Sequence, residues 1–321
     1  MFRLLFLISF LFTTNIFANK LIDLYRLEGI SAVELELEKQ LAQKDYWQET
    51  LKNYDTKFGF LESKKYILHS NKKEKKLFLY ENKNMKLVKL FEDNVITGEI
   101  DGDKYLEGDK KTPIGVYDLT KKRTNLDQFY GPFALVTSYP NNFDKSQNKK
   151  GHGIWIHGMP LNGDREEYTR GCIALNNENL LDLESKIDLK DAVLITSEED
   201  FIEATKDELS TILSSINQWK LTWKYSQINE YLSFYSNEFK RYNGMQIEEF
   251  SKYKKRVFSK DEDKIIRFSN INIYVYPNSL NKRLFKVFMN QYYKSDTLKF
   301  IGNKELIIEL VDGKMKILFE D

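Results

Sequence analysis

The spacing of apolar residues changes three times along this 321-residue chain, and no other feature limits the fold as much. Up to about residue 60 the apolar positions recur at helical intervals. From Lys65 they alternate, and beyond Ser197 helical spacing returns before a last set of alternating runs. Neither a plain bundle nor a plain barrel accommodates that order, so the reading is α+β with more than one core. The length suffices for two or three domains.

In the first helical region, Ser31 and Glu34 of S-A-V-E have capping-box spacing, and Val33, Leu35, Leu37 and Leu41 give an apolar face to about Gln43. A second helix is expected over Tyr46 to Tyr54, with Trp47, Leu51 and Tyr54 on one side. Two readings stay open for this region: an arm packed on the following domain, or a homodimer contact. Next come alternating runs, Y-I-L-H-S-N, K-L-F-L-Y-E-N and M-K-L-V-K-L-F, with polar hairpin turns between them. His69 lies in the first run and reads as structural. Further strands are expected at G-V-Y-D-L, G-P-F-A-L-V-T, G-I-W-I-H-G and D-A-V-L-I-T, and I-A-L-N-N begins as a strand and passes into a helix capped by Asn. Past residue 199, two or three helices carry Trp219, Trp223, Tyr231, Leu232, Phe234, Tyr235 and Phe239 as core. Strands follow at K-I-I-R-F-S-N, I-N-I-Y-V-Y-P, R-L-F-K-V-F-M, L-K-F-I and E-L-I-I-E-L-V, and Asp312-Gly313 marks a two-residue hairpin.

Residues 1–18 join one early cation, Arg3, to an apolar run from Leu4 to Phe12 and a small residue, Ala18, at a cleavage position. This reads as a signal peptide, since the run falls short of the roughly 20 residues that span a bilayer. The export it implies is to the periplasm. The chain has 49 basic against 48 acidic residues, and losing residues 1–18 removes Arg3 and no acid, leaving a formally neutral mature protein. Lys is mixed with Asp and Glu throughout, which argues against nucleic acid as a partner. No Gly-rich phosphate loop follows a strand, and three histidines without ligand spacing give no metal site, so neither a metal nor another cofactor is expected.

The chemistry concentrates in Gly151 to Asn177, which holds the only cysteine and two of the three histidines. A single Cys in an exported chain has no internal disulfide partner. Cys172 and His157 are the residue types that nucleophilic thiol catalysis needs: imidazole removes the thiol proton, and thiolate attacks a carbonyl. Gly171 lets the backbone turn sharply before Cys172 and would aim the Gly171 and Cys172 amides at an oxyanion. The competing reading, an inert buried thiol, fits poorly with the polar loop in front of it. Arg170 offers a two-pronged contact to a substrate carboxylate. His152, Trp155 and Tyr130 are expected to line the approach, with Lys121 and Arg123 as weaker candidates.

These residues carry a resemblance. Thr112, Pro113 and Gly115, then His157-Gly158, then Thr169-Arg170-Gly171-Cys172, with fourteen residues between His157 and Cys172, resemble the YkuD (L,D-transpeptidase catalytic) domain. The resemblance spans roughly residues 65 to 197. It implies a mostly β domain in which a Cys–His pair acts on peptidoglycan stem peptides (muropeptides), with the Gly158 carbonyl orienting His157. Two positions depart from the family: Arg170 stands where His is frequent, and Ala174 where Arg is common, which suggests an altered pocket. The last segment is similar to the NTF2-like fold, a cone with a ligand not identified by the sequence. Together they imply a signal peptide over 1–18, a helical region over 19–63, a catalytic domain over 64–198 and an NTF2-like domain over 199–321. That combination resembles exported L,D-carboxypeptidases that set cell shape by trimming the terminal D-Ala of tetrapeptides. L,D-transpeptidation by the same acyl enzyme, and a non-catalytic peptidoglycan scaffold, are the alternatives.

Overall fold

A computed structural model describes residues 20–260 and 262–321, so the expected signal segment lies outside the described residues. The first region forms helices Ile30–Leu41 (α1) and Lys44–Thr50 (α2), then a short strand, Gly59–Leu61 (β1). The capping box expected at Ser31 and Glu34 does not form. Residues 20–28 are already helical, Gly29 at φ 86° makes the break, and α1 starts behind it with no side-chain cap. A glycine kink replaces the free helix end that a capping box would serve.

The alternating runs build an eight-stranded sheet. Its strands are Tyr66–Asn71 (β2), Lys76–Lys83 (β3), Lys86–Asn94 (β4), Gly115–Arg123 (β5), Ala134–Thr137 (β6), Trp155–His157 (β7), Ile173–Ala174 (β8) and Ala192–Ser197 (β9), in the spatial order β4-β3-β2-β9-β5-β6-β7-β8. Helix Asn142–Ser146 (α3) follows β6, and Asn177–Lys186 (α4) follows β8. The chain enters on β2 and leaves on β9, which pair side by side in parallel, Tyr66 opposite Ala192. Both are buried on both faces, and Ala192–Ser197 accordingly reads as a nearly continuous apolar run. Leu68 and Leu194 pack toward Leu180 and Leu183 of α4, while Ile67, Val193 and Ile195 face the other way.

That other face meets a second, six-stranded sheet. Past helices Lys206–Lys224 (α5) and Ile228–Ser233 (α6) come Tyr235–Arg241 (β10), helix Ile247–Phe258 (α7), Ile265–Tyr276 (β11), Leu284–Lys294 (β12), Lys299–Val311 (β13) and Lys314–Glu320 (β14). The order β1-β11-β12-β13-β14-β10 places Tyr274, Tyr276, Ile307 and Phe319 against Ile67, Val116 and Val193 of the first sheet. The two runs expected at 264–277 are a single strand, β11. A bulge between Ser269 and Asn272, with Asn270 at φ 55°, interrupts the alternation without ending the strand. The runs from 298 likewise merge into β13. Asp312 at φ 49° and Gly313 at φ 72° form the expected tight hairpin to β14. Trp219, Tyr231, Tyr235 and Phe239 are buried in the core that α5–α7 share with this sheet.

The helices of the N-terminal arm pack on this last unit, while Asp55, Phe58 and Leu61 behind them also touch the domain that follows in sequence. Trp47, Leu51, Tyr54 and Phe60 share a core with Leu213, Ile216 and Trp219, and β1 pairs antiparallel with β11 through Phe60 and Ile273. Polar contacts fix the seat. Trp47 Nε1 donates to the Leu41 carbonyl at 2.7 Å, and Gln218 donates to the Ala42 carbonyl at 2.8 Å. Glu38, also buried, lies 3.4 Å from Lys220 and 2.9 Å from Lys224. Each fully buried large apolar side chain stabilises the seat by roughly 1.5–3 kcal/mol. The eight-stranded sheet is therefore inserted in sequence between β1 and α5. Among the described residues no helix is long and apolar enough to cross a membrane.

Candidate active site

Strands β7 and β8 run parallel at the sheet edge, with Ile156 opposite Ile173 and His157 opposite Ala174. Continuing that register sets Cys172 beside Trp155, on the face shared by Trp155 and His157. Cys172 and His157 accordingly line one cleft of about 360 Å³, with Tyr130, Arg165, Tyr168, Thr169 and Arg170 around them.

His157 is 1% exposed. Its Nδ1 lies 2.7 Å from the Gly158 carbonyl oxygen, which can only accept, so Nδ1 carries the proton. Nε2 of the neutral ring is then left with a free lone pair, as a base requires. Burial pushes the imidazole down to about 4, against a smaller upward effect of the Gly158 hydrogen bond, so the ring is neutral at pH 7. A side chain at Gly158 would come within 2.0 Å of Asn177 Oδ1 and 3.0 Å of Pro132 Cδ, so any larger residue there would displace its neighbours.

Cys172 is half-buried, and its thiol donates to the Gly153 carbonyl at 3.5 Å. Burial pushes the thiol up to about 11, opposed by the Trp155 amide and by the charges of Arg165 and Lys104. At rest the pair is thus a neutral thiol and a neutral imidazole. For such a pair to act on a carbonyl, proton transfer would have to accompany attack, and the thiol would have to turn from Gly153 toward the imidazole, a tightening common on substrate binding.

The turn before Cys172 is fixed locally. Thr169 Oγ1 donates to the Cys172 carbonyl at 2.7 Å and accepts from the Gly171 amide at 3.0 Å. Gly171 has φ 126°, and a Cβ there would meet the Lys111 carbonyl oxygen at 2.7 Å. The Gly171 amide, expected to hold an oxyanion, therefore has a hydroxyl partner that an oxyanion would have to displace.

The remaining expected residues fall in different places. Tyr130 lines the cleft, its ring 5.1 Å from that of His157. Arg170 lines it from the exposed rim. Trp155 is half-buried outside the lining, edge-on to Tyr130 at 5.2 Å and with the Arg123 guanidinium 5.0 Å from its ring. His152 stands exposed 3.8 Å from Glu107, away from the cleft, because Gly151 and Gly153, both at positive φ, swing its side chain outward. Lys121 is exposed on β5. Ala174 is fully buried, its backbone paired with Ile96, so it shapes the floor and does not line the cleft. His69 is buried against Phe58, Phe78 and Phe201 and bonded to Ser197, remote in role from the thiol. Among the described residues no cluster of potential ligands could hold a metal ion.

Sequence reasoning passed over Arg165. Flanked by Asp164, Glu166 and Glu167, it reads as a solvated loop residue, yet it reaches into the cleft beside Cys172.

Comparison with known proteins accounts for both halves. Residues 65–195 match the L,D-transpeptidase catalytic domain (YkuD), and residues 211–321 match the Cds6 C-terminal NTF2-like domain. The crystal structure of the helical cell shape determining protein Pgp2 from Campylobacter jejuni is 42% identical over 88% of this chain and 100% of its own, with a TM-score of 0.83. The chain belongs to the Pgp2 family. A point mutant of Pgp2 superposes equally well, with a TM-score of 0.85 at 42% identity, over 88% of this chain and 99% of that one. Bd1075 from Bdellovibrio bacteriovorus is 26% identical over 83% of this chain and 96% of its own, with a TM-score of 0.65. No curated protein matches the chain. The protein joins a YkuD domain to an NTF2-like domain, in the mixed α+β architecture expected from its hydrophobic spacing.

Proposed function

We propose that the protein is an exported, periplasmic peptidoglycan L,D-carboxypeptidase that removes the terminal D-Ala of tetrapeptide stems and thereby influences cell shape. The observation that carries this reading is the convergence of a Cys172 thiol and a neutral, carbonyl-anchored His157 on one cleft of a YkuD domain. Kinship to a helical cell shape determining protein supports the cellular role.

In this mechanism Cys172 Sγ attacks the carbonyl at the L-centre of the third stem residue while its proton passes to His157 Nε2. The Cys172 amide, joined by Gly171 once Thr169 releases it, stabilises the oxyanion. Collapse breaks the peptide bond, and the D-Ala amine leaves with the proton from His157. Water, deprotonated by the same imidazole, then hydrolyses the thioester and frees the tripeptide and thiol.

The test incubates mature protein with disaccharide tetrapeptide and resolves the products by mass. Release of D-Ala with formation of tripeptide is expected, and Cys172→Ala and His157→Ala should abolish it while keeping the native circular dichroism spectrum. A cross-linked dimer as the main product would mean L,D-transpeptidation. Binding without product, equal in Cys172→Ala and unmutated protein, would mean a scaffold.

A further inference from the structure

Arg165 makes no ion pair among the described residues, although the Glu166 charge acts on it from the rim of the same cleft. Its Nη2 donates to the Tyr168 carbonyl at 3.0 Å, and its guanidinium stacks on Phe129, 4.9 Å from the ring centroid. Nε and Nη1 are buried with no hydrogen-bond partner among the described residues. A guanidinium taken from water without an acceptor is costly, and proteins keep such a group where an anion arrives to complete it. Arg165 shares its cleft with Cys172 and His157, and its charge favours the thiolate of one and disfavours protonation of the other.

The chemistry of the cleft names the anion. With the scissile carbonyl at Cys172 Sγ, the carboxylate of a single leaving residue lies one residue further on, within about 3.6 Å of extended chain. An enzyme that trims one residue from an end must recognise that carboxylate, because an internal peptide bond presents a neutral amide there. Arginine is suited to it, having several donors and a permanent charge.

We propose that Arg165 is the receptor for the terminal carboxylate of the leaving D-residue and makes the site selective for chain ends. This rests on the acyl-enzyme reading of Cys172 and assigns its leaving-group specificity. On binding, the substrate carboxylate takes the place of the Tyr168 carbonyl and supplies the partner that the guanidinium lacks.

The experiment compares two synthetic stems, a tetrapeptide ending in D-Ala and the same peptide ending in D-alaninamide, with the unmutated protein, Arg165→Gln, Arg165→Lys and Arg170→Gln. The unmutated enzyme should favour the acid in kcat/KM by roughly 10- to 100-fold, the usual scale of a charged hydrogen bond. Arg165→Gln should bring the two substrates within about threefold by lowering the acid far more than the amide, and Arg165→Lys should keep part of the preference. Retained turnover of the amide shows that the variant is folded. Equal losses on both substrates would overturn the proposal, as would loss of the preference in Arg170→Gln with its retention in Arg165→Gln. If no D-Ala is released by any form, the hydrolytic reading fails separately. Binding of the two peptides to Cys172→Ala, with and without Arg165→Gln, then decides: a preference for the acid that disappears with Arg165 upholds the receptor, and equal binding overturns it.

Discussion

Alkylation of Cys172 across pH tests whether the thiol and imidazole are neutral at rest. A free, exposed thiol with a pKa near 8.5 is about one-tenth thiolate at pH 7.5. Cys172, pushed up to about 11 by burial, would be about 0.03% thiolate at that pH, a deficit of roughly 300-fold. The more basic thiolate is also the better nucleophile; a Brønsted slope near 0.45 over 2.5 units returns roughly 13-fold, so the net rate should be about 20-fold below that of a small-molecule thiol. Iodoacetamide labelling followed by intact mass, from pH 6 to 10, gives the profile: a steady climb with no plateau near neutrality. His157→Gln should change the rate at pH 7.5 by less than about threefold although it removes turnover, because no resting ion pair exists to break. An inflection below pH 7 that disappears in His157→Gln would show a resting thiolate–imidazolium pair and refute the neutral-pair reasoning.

Two further outcomes follow from the same geometry. His69 and His157 are both pushed down to about 4 by burial, so the unfolded chain binds more protons than the folded one between about pH 6.5 and 4. Their contribution is complete above pH 6.5 and is lost as pH falls, by at most about 3 kcal/mol each; urea unfolding at pH 7 and 4.5 should show it, and an unchanged pH dependence in His69→Gln would contradict it. Gly171→Ala should cost about 2–4 kcal/mol and most activity, since it meets both an unfavourable φ and the Lys111 carbonyl oxygen at 2.7 Å; a thermal melt within about 2 °C of the unmutated protein would show that the turn can yield.

What the sequence revealed depended on how local the cause was. Alternation from Tyr66 exposed the catalytic sheet because side-chain period alone decides strand against helix. His157-Gly158 and Gly171-Cys172 stood out because glycine marks the places where backbone must approach a neighbour. Arg165 was hidden by the opposite circumstance: its sequence neighbours are acidic, while its spatial neighbours are Phe129 and Tyr168. The destination of the N-terminal arm was equally hidden, since an amphipathic pattern shows that Trp47 and Leu51 are covered but not which surface covers them. His152 misled through proximity in sequence, which two positive-φ glycines cancel.

Because β1 pairs with β11 and Trp47 nests beside Trp219, the earliest described helices complete their core with residues made more than 150 positions later. During synthesis those helices must wait, with their apolar side uncovered, until nearly all of the polypeptide has emerged. A stop codon soon after Ser197 would leave the YkuD sheet whole in sequence, yet strip its outer face and unseat the beginning of the chain along with the end.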